Sequence, residues 1–578
     1  MKSQIHEFKI QKIKTMGKNQ IKQLSVLCLF VLSTLQSYAG LEWTYGALSN
    51  PDNKIRNAKA IAYATNGNIF VTGLEELSSG SKLIVTKKFS ATGSLLASVT
   101  NSYAVAVGTT VNDNATDIKL DANNNVYVLG KQYATSSRGY DVVLIKYNSS
   151  LTQQWKKLIY NTNQPNNFND KPCKILLDAN NDVYATGNWN NVTITGFTEE
   201  IFVQKYSSAG TLLYSTNIPQ AMGKTIEDAT DFSIDNNLNV TVCARAKDGN
   251  NVYSVMYARI SNTGSVSWKK FYTPSSTFKY LFKPEIECLS SGTFYISTPV
   301  DREVGPDMFV RIATAKFNSS GTLSWENLSA ELHEYADNVY LRLDVSGNIY
   351  AGCDFLNSPT PTYKNHRIYK MNSSGTLQWI YTSAETSNFF SFETFNSSAL
   401  FLIFSHTSGV NPILRKLDAT NGAVLWSETI AYTPPATYHH CQVIHTDIAV
   451  NSTTSEVAFC GYISADMITP TYNQEYRWLI KKYGATSPRF VSSDNPIAAQ
   501  KLDFKIFPNP ANQNVTIQSD AASETEIIIT DLKGRKVHQQ KFENGVVNFN
   551  VSDFGSGMYN VMVNSNGITK TSLLQINH

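Results

Sequence analysis

Charge and long hydrophobic runs are both scarce in this sequence. Only 16% of its 578 residues are charged, against about 25% in an average globular protein, which excludes a charge-rich disordered chain or a coiled coil. Lys+Arg (49) nearly balance Asp+Glu (46), so a nucleic-acid partner is not expected. Beyond the N-terminus no segment approaches the roughly 18 apolar residues of a membrane-spanning helix. We therefore expect no stable insertion into a membrane.

Motifs for metals, cofactors and catalysis are also missing. The seven cysteines include no C-x-x-C pair, which gives no support to a zinc or redox site. No P-loop, dinucleotide-binding loop or hydrolase elbow stands in a supporting context. Residues 121–125 resemble part of a calcium loop but lack its Gly and Glu positions, so we expect a hairpin turn there. The sequence thus predicts no catalytic residue, no cofactor and no metal.

The cysteines that follow residue 39 lie within apolar strand patterns. They are Cys173, Cys243, Cys288, Cys353, Cys441 and Cys460. A buried free thiol behaves as a small hydrophobic group. Although an even number in an oxidising compartment permits disulfides, we expect these cysteines to be mostly unpaired.

Residues 1–39 have the pattern of a secretory signal peptide. Several lysines precede the short apolar run from Leu24 to Leu35, and the small residues Ser37 and Ala39 follow it. This order predicts passage through the Sec translocon and cleavage by signal peptidase after Ala39, with an uncleaved anchor as the alternative. Six lysines and one glutamate lie in this segment, so its removal changes the formal net charge from +3 to −2.

A repeat of about 55 residues fills most of the remaining chain. Residues 118–130 and 175–187 share the pattern Leu-Asp-Ala-Asn-Asn followed by an apolar strand, and weaker copies bring the total to eight. In each copy a later apolar strand ends in a basic residue, and a turn and usually an aromatic residue follow. The basic residues are Lys88, Lys146, Lys205, Arg259, Lys316, Lys370, Lys416 and Lys482. The alternation and the turn residues predict four short strands per repeat.

The repeats predict an all-β fold, a β-propeller. A four-stranded sheet cannot bury both of its faces alone, but radial stacking of such sheets buries them. The repeats resemble the β-propeller repeats of secreted bacterial proteins, which are often seven-bladed. Over residues 40–484 we predict eight four-stranded blades, with seven as the alternative. The last repeat lacks its fourth strand, and we expect the segment around Trp43 to supply it and close the ring.

The C-terminal segment has a different pattern. Residues 485–501 read as a linker, and residues 502–578 contain short alternating strands that predict a small Ig-like β-sandwich. Several short motifs occur there in order, and their residues are Phe507, Pro508, Asn509, Pro510, Asp531, Gly534, Arg535, Gly557, Tyr559 and Lys570.

This tail resembles the C-terminal sorting domain of the type IX (Por) secretion system of Bacteroidetes-type bacteria. The resemblance implies recognition by the type IX outer-membrane secretion machinery. It also implies removal of the tail and a protein that is secreted or attached to the outer cell surface. A carbohydrate-binding or spacer sandwich is the alternative.

The longest and most variable connections are the loops between the second and third strands of the repeats and the loops between blades, which lie on the same face of the ring. Loops held by a rigid scaffold commonly carry function. Aromatic side chains there could stack on sugar rings or cover a protein partner. The candidate ligand residues are Tyr133, Trp189, Tyr363, Tyr438, His439 and Tyr472. The histidine cluster around His439 could hold a metal or an acid–base pair only if other strands contribute, and otherwise His445 is a strand histidine with satisfied partners.

Three functions remain open at this point. The first is a propeller that binds a glycan or protein without chemistry, which we favour because the acidic residues form no cluster beyond their strand and turn positions. The second is a polysaccharide lyase or glycoside hydrolase, which needs paired carboxylates or a Tyr/His pair converging on the central channel. The third is a structural or adhesive surface protein. The fold alone does not decide among them.

Overall fold

The structure is a computed structural model. It describes residues 41–46, 54–103, 109–162, 169–193, 196–220, 223–275, 278, 280–304, 307–330, 334–335, 338–357, 364–383, 389–405, 411–430, 438–467, 474–484, 504–519, 525–531, 535–542, 545–565 and 568–578. The predicted signal peptide and the predicted linker lie outside these ranges. Every regular element within them is a β-strand, and none of the described segments is a helix long and apolar enough to cross a membrane.

Four-stranded antiparallel sheets follow one another along the chain, after a first strand β1 (Leu41–Tyr45). Blade 1 comprises β2 (Arg56–Tyr63), β3 (Ile69–Glu76), β4 (Lys82–Phe89) and β5 (Leu95–Thr100). Blade 2 comprises β6 (Asn114–Leu120), β7 (Val126–Thr135), β8 (Gly139–Tyr147) and β9 (Gln153–Ile159). Blade 3 comprises β10 (Lys171–Leu177), β11 (Val183–Thr193), β12 (Gly196–Tyr206) and β13 (Leu212–Ile218). Blade 4 comprises β14 (Lys224–Ile234), β15 (Val240–Asp248), β16 (Tyr253–Ile260) and β17 (Val266–Tyr272).

In blades 5 and 6 the first strand is split into two short pieces that pair with the same neighbour. Blade 5 comprises β18 (Tyr280–Leu281), β19 (Glu285–Cys288), β20 (Phe294–Val304), β21 (Asp307–Phe317) and β22 (Leu323–Leu328). Blade 6 comprises β23 (Glu334–Tyr335), β24 (Val339–Leu343), β25 (Ile349–Asn357), β26 (Lys364–Met371) and β27 (Leu377–Thr382). Blade 7 comprises β28 (Phe389–Phe395), β29 (Ala399–Ser405), β30 (Ile413–Asp418) and β31 (Val424–Thr429).

Blade 8 joins the two ends of the repeat region. It comprises β32 (Tyr438–Val450), β33 (Val457–Met467), β34 (Gln474–Tyr483) and, as its outermost strand, β1. In the register of this pair Leu41 lies opposite Tyr483, and Tyr45 lies opposite Ile480. Since β2 of blade 1 also contacts β32, β33 and β34, the ring is closed. The prediction of eight blades and of closure by the segment around Trp43 is confirmed.

The hydrophobic core is a ring of separate clusters. Each of eight clusters is shared by two adjacent blades, because each blade presents apolar residues on both of its faces. Phe70 and Ile84 of blade 1, for example, pack with Val128 and Ile145 of blade 2. Burying one such side chain stabilises the fold by about 1.5–3 kcal/mol. Hydrophobic packing therefore holds each blade against both of its neighbours.

At six of the eight blade interfaces, an aromatic residue of the repeat in one blade covers a glycine of the next blade. Trp155 of blade 2 covers Gly210 of blade 3, where an added Cβ would lie 2.9 Å from the indole ring. The Trp155 Nε1 and the Lys146 Nζ both donate to the carbonyl oxygen of Ser208, at 3.1 and 2.7 Å. The same contact recurs in the pairs Trp43–Gly93, Tyr214–Gly264, Trp268–Gly321, Trp325–Gly375 and Trp379–Gly422. This part of the repeat is explained by structure and not by ligand binding.

The interface between blades 1 and 2 departs from this pattern on both sides. Blade 1 has Ala97 at the position opposite Lys88, whereas blade 2 has Trp155 opposite Lys146. The facing turn of blade 2 has Leu151 where other turns have glycine, and it keeps the left-handed backbone with φ 62°. Leu151 is buried and shares a hydrophobic cluster with Ala97. The leucine thus fills the space that the missing tryptophan would occupy.

The tail forms a small β-sandwich with its own core. One sheet contains β35 (Phe504–Phe507), β36 (Asn514–Ser519) and β39 (Val546–Asn550). The other contains β37 (Thr525–Asp531), β38 (Lys536–Phe542), β40 (Gly557–Ser565) and β41 (Ile568–Ile576). Residues of both sheets, such as Ile517 and Val561, belong to one buried cluster. The predicted all-β fold, a propeller followed by a small sandwich, is confirmed.

Candidate functional site

The first strands of the blades carry ionisable side chains that interact across a central channel. The carboxylates are Asp117, Asp231, Glu285, Glu287, Glu393 and Asp447, and the cations are Lys119, Lys174 and Arg342. Lys174 of blade 3 lies 2.7 Å from Asp231 of blade 4. Arg342 of blade 6 lies 2.8 Å from Glu393 of blade 7. Ion pairs across blade boundaries therefore line the channel.

Several of these carboxylates also bind the backbone of the neighbouring blade. The N–H groups of Ile175, Ile286, Leu341 and Ile61 donate to Asp117, Asp231, Glu285 and Asp447, at 2.9, 3.0, 2.6 and 2.9 Å respectively. The strand register shifts just before each of the three aspartates, and such bulges redirect a side chain out of the regular sheet. We conclude that four of the six channel carboxylates hold adjacent blades together through these hydrogen bonds.

Burial controls the protonation of this channel. It raises the pKa of Glu285 to about 7, although Arg342 opposes the shift. It also raises the pKa of Asp447 to about 7, against the opposing effect of the hydrogen bond from Ile61. These carboxyl groups therefore gain or lose protons near neutral pH.

A cavity of about 720 Å³ lies at one end of the channel. Its lining residues are Lys59, Asn114, Ala115, Thr116, Asn338, Tyr340, Arg342, Asp354, Phe390, Ser391, Phe392, Glu393, Ile444, His445, Thr446, Asp447, Ile448 and Tyr462. Asn114 and Phe390 stand at or next to the beginning of first strands. This end therefore belongs to the face that carries the connections between second and third strands, on which the sequence predicts a ligand surface.

The cavity wall combines aromatic rings with buried polar atoms that lack a hydrogen-bond partner in the described structure. Tyr340 packs edge-to-face on Phe390, with 5.7 Å between the ring centroids. The buried Oδ1 of Asn114 and the buried Oγ of Ser391 have no hydrogen-bond partner in the described part of the chain. Buried polar atoms are almost always hydrogen-bonded. A polar ligand or ordered water in the cavity would satisfy both atoms.

Tyr340 and His445 also meet at this cavity. Burial raises the pKa of Tyr340 well above its ordinary value. Burial, assisted by the nearby His366, lowers the pKa of His445 to about 3, so that its imidazole is neutral at ordinary pH. His366 is itself buried, with its Nδ1 3.0 Å from Asp354 Oδ1. The structure thus brings together a tyrosine and a histidine that lie far apart in sequence.

Two of the six candidate ligand residues, Tyr133 and Trp189, are described with their side chains, and neither lines this cavity. Trp189 is 5% exposed and stacks on Phe202 with 5.2 Å between the ring centroids, which leaves little of its ring open to a ligand. Tyr133 is half-buried and packs edge-to-face on Tyr140. Tyr438 and His439 begin β32, and only their backbone is described. Tyr363 and Tyr472 lie outside the described residues.

Sequence reasoning missed the residues of the cavity wall. They come from first strands, whose apolar alternation hides the side chains that face the channel. Aligning the repeats would have exposed one signal: Asp117, Asp231 and Asp447 occupy equivalent positions in three blades.

Metal ligands are not assembled anywhere in the described ranges. No group of three or more His, Cys, Asp or Glu side chains there is placed to hold an ion. The cysteines that the structure describes with their side chains are free thiols: Cys173, Cys243, Cys288, Cys353 and Cys460. Only the backbone of Cys441 is described.

The motif residues of the tail hold its turns. Between Pro508 and Pro510, Asn509 contacts β41: its Nδ2 donates to Leu573 O at 2.8 Å and its Oδ1 accepts from Gln575 N at 2.9 Å. Phe507 ends β35. The first motif of the tail therefore joins the start of the domain to its last strand, β41.

The other tail motifs act in the same local way. Arg535 donates to Asp531 through its backbone N and its Nε, at 2.9 and 3.1 Å. Gly557 begins β40, where the Tyr559 hydroxyl donates to Gly555 O at 2.8 Å. Lys570 lies in β41, and Gly534 lies outside the described residues.

Comparison with known proteins gives one family match and several distant structural similarities. Residues 505–577 match the model of the secretion system C-terminal sorting domain. No curated protein matches the chain.

The similar solved structures include a PL25 ulvan lyase bound to a sugar (10% identity, 67% of this chain and 96% of that chain, TM-score 0.41). They also include a prolyl endopeptidase (10% identity, 77% of this chain and 60% of that chain, TM-score 0.38). A third is the β-propeller domain of the Trilobed protease from Pyrococcus furiosus (11% identity, 67% of this chain and 97% of that chain, TM-score 0.32).

TM-scores below 0.5 carry no argument about function, and the propeller assignment rests on the strand order and the closed ring described above. The matched residues contain all of the tail motifs named from the sequence, from Phe507 to Lys570. The tail is a type IX C-terminal sorting domain, and it marks this β-propeller protein for export and for secretion or attachment to the cell surface.

Proposed function

We propose that this exported propeller binds a glycan in the cavity at the end of its central channel and does not cleave it. One observation carries the proposal: Asn114 and Ser391 line the same cavity, and each has a buried oxygen, Oδ1 and Oγ respectively, with no hydrogen-bond partner in the described structure. Sugar hydroxyls both donate and accept hydrogen bonds, so they suit such atoms.

The size and lining of the cavity support a small polar ligand. Its volume of about 720 Å³ falls within the roughly 300–1,000 Å³ of typical ligand pockets. Tyr340, Phe390 and Tyr462 contribute aromatic surface, which packs well against the apolar face of a sugar ring. The cations and carboxylates of the wall occur together, which favours a ligand of low net charge.

Cleavage of a polysaccharide is the alternative, because Tyr340 and His445 line the same cavity. A general acid or base works best when its pKa lies near the working pH. Burial moves the pKa of Tyr340 up and that of His445 down to about 3, so neither group titrates in that range. Asp447 and Glu285 do have a pKa of about 7. However, both oxygens of Asp447 already accept backbone N–H groups, from Ile61 and Ile448 at 2.9 Å, and Glu285 accepts one from Leu341. These facts favour binding over catalysis.

A glycan array with the secreted protein tests the proposal, and the same samples are screened for release of reducing ends and of unsaturated sugars. We expect binding without turnover. The double variant Asn114→Ala, Ser391→Ala should weaken binding about tenfold or more. The matched control is Ser398→Ala, an exposed serine in a turn of the same blade as Ser391. Turnover of any polysaccharide would overturn the non-catalytic function, and equal binding by both variants would overturn the site.

We also propose that residues 1–39 direct the chain through the Sec translocon and are removed by signal peptidase. The basic and apolar pattern of that segment supports this route, since a type IX sorting tail acts on proteins that have already crossed the inner membrane. N-terminal sequencing of the secreted protein tests it. A mature chain beginning at Gly40 agrees with the proposal, and one that retains Leu24 to Leu35 contradicts it.

A further inference from the structure

A second cavity lies beside the first, between blades 2 and 3. Its volume is about 540 Å³, and its lining residues are Asn114, Thr116, Lys131, Tyr140, Asn169, Asp170, Lys171, Pro172 and Asn190. Asn114 and Thr116 also line the channel-end cavity. The two cavities therefore adjoin at β6, and a ligand longer than one cavity has a continuous polar path from the channel toward the rim of the ring.

Asp170 is the distinctive group of this second cavity. It is 1% exposed, and its Oδ1 accepts a hydrogen bond from Asn190 N at 3.1 Å. Its Oδ2 is buried and has no hydrogen-bond partner in the described ranges. A buried carboxyl oxygen without a partner is costly, because burial removes the water that would otherwise solvate it. A ligand hydroxyl in the cavity would supply the missing bond.

The neighbouring blade shows the same aspartate with its bonding complete. Asp113 of blade 2 accepts a hydrogen bond from Tyr133 N at 2.8 Å, just as Asp170 does from Asn190 N twenty residues along the chain. The second oxygen of Asp113 accepts from the Tyr103 hydroxyl at 2.7 Å. At this repeat position, Asp113 has both carboxyl oxygens hydrogen-bonded within the protein, whereas Asp170 has one oxygen without a partner in the described ranges, beside a cavity.

From this contrast we infer that the cavity between blades 2 and 3 is a second subsite. It binds a further sugar unit of the same glycan chain through the free oxygen of Asp170 and the amide of Asn114. The inference rests on the proposed function, since it extends the glycan from the channel-end cavity outward. The protein therefore recognises a polysaccharide of several units and not a single terminal sugar.

The charges around the second cavity indicate an uncharged glycan. The ammonium of Lys171 pairs with Glu199 at 2.6 Å, and the Nζ of Lys131 lies 5.1 Å from the centre of the Tyr140 ring. Asp170 contributes a carboxyl group that would face the ligand directly. Because a sulfate or uronate would lie against that carboxyl group, a neutral hydroxyl-rich unit fits better.

Calorimetric titration with oligosaccharides of two to six units tests the inference. The panel contains neutral gluco-, manno-, xylo- and galacto-oligosaccharides and uronate oligomers of matched length. For the wild-type protein we expect affinity for a neutral series to rise at least tenfold with length until both cavities are filled. Asp170→Ala should remove this gain and leave the affinity of the shortest member unchanged.

Asp113→Ala is the matched control, because it removes the same type of backbone hydrogen bond one blade away without touching the cavity. Asp170→Asn, which keeps an acceptor for Asn190 N, guards against a folding defect and should lower the affinity of long members only. Affinity that does not depend on length, or an equal loss in Asp113→Ala and Asp170→Ala, overturns the second subsite while the proposed function stands. Tighter binding of the uronate series than of every neutral series would contradict the inference that the second cavity takes a neutral sugar unit. If no member binds the wild-type protein, the proposed function fails and the subsite with it.

Discussion

Single residues at the blade interfaces come in matched pairs. Trp155 requires Gly210 opposite it, because a Cβ at that glycine would lie 2.9 Å from the indole ring. At the one interface where the tryptophan is replaced by Ala97, the glycine is replaced by Leu151. The two changes compensate each other in volume, as close-packed interiors demand.

Exchanging this pair should reveal the compensation. Ala97→Trp alone should destabilise by about 1–3 kcal/mol because Leu151 already occupies the space. Leu151→Gly alone should destabilise by about 2–4 kcal/mol through the cavity it leaves. The double variant should be more stable than the sum of the two losses predicts, by about 1 kcal/mol or more. Denaturant unfolding measures all three, and strict additivity would contradict direct packing between positions 97 and 151.

Protonation of Asp447 should make stability depend on pH. Its pKa is raised from the ordinary 3.8 to about 7 in the folded protein, chiefly by burial, with Lys119, Asp117 and Glu393 acting on it across the channel. A raised carboxyl pKa means that the folded state holds a proton that the unfolded state has released. The stabilising contribution is therefore complete below about pH 4 and is lost as the pH rises through about 7.

We expect the Tm of the wild-type protein to fall between pH 5 and pH 8. Asp447→Asn, which cannot ionise, should show a smaller fall over the same range when followed by circular dichroism. Asp248→Asn is the control, because Asp248 is a partly exposed residue at the end of β15 and backbone hydrogen bonds lower its pKa. A Tm that rises from pH 5 to pH 8 with the same slope in wild type and Asp447→Asn would contradict this assignment.

At the scale of elements, β1 differs from every other strand because its partner is the last strand of the ring. It pairs with β34 and brings Trp43 onto Gly93 of blade 1. Its Glu42 lies 2.7 Å from Lys482. Three kinds of contact, the backbone ladder, an aromatic lock and an ion pair, thus converge on five residues.

Deleting Leu41–Tyr45 should open the ring at blade 8. The exposed edge of β34 would be available for pairing with other chains, so we expect a lower Tm and concentration-dependent aggregation by light scattering. Thr44→Ala, an exposed position of the same strand, should leave both properties unchanged. A deletion variant with wild-type Tm would show that β1 is dispensable for closure.

Elements were far easier to predict from the sequence than the site. The strands, the eight blades and the closing strand follow from alternation and from a repeat that each blade must satisfy locally. The cavity is different, because its wall combines Asn114, Tyr340, Ser391 and His445 from four blades, and only ring geometry brings them together. Connection length instead points to the loop aromatics, because long connections predict exposure, yet Trp189 is buried against Phe202.

At the scale of the whole molecule, the propeller and the tail have independent cores. Among the described residues, the cluster that holds the tail contains no propeller residue, and the eight clusters of the ring contain no tail residue. Removing the tail therefore leaves the hydrophobic packing of the ring intact. This separation suits a sorting domain that is discarded after export.

Deleting Leu502–His578 should trap a folded propeller in the periplasm. Fractionation and surface protease treatment of cells locate the protein, and circular dichroism of the truncated chain should show the strand content and cooperative melting of the ring. The full-length chain is the control for both measurements. If the truncated chain still reached the surface, export would not depend on this tail.

The pairing of β1 with β34 also affects how the protein can fold. About 440 residues separate these partners, and closing so long a loop costs roughly 5 kcal/mol in chain entropy if nothing else is ordered. Assembling the blades first shortens the distance to be closed, so the ring is best completed last, by strands from opposite ends of the repeat region. Contacts of such sequence separation slow folding. A closed ring therefore shows that the repeat region has been made as far as Tyr483 and that the N-terminal strand was free to pair.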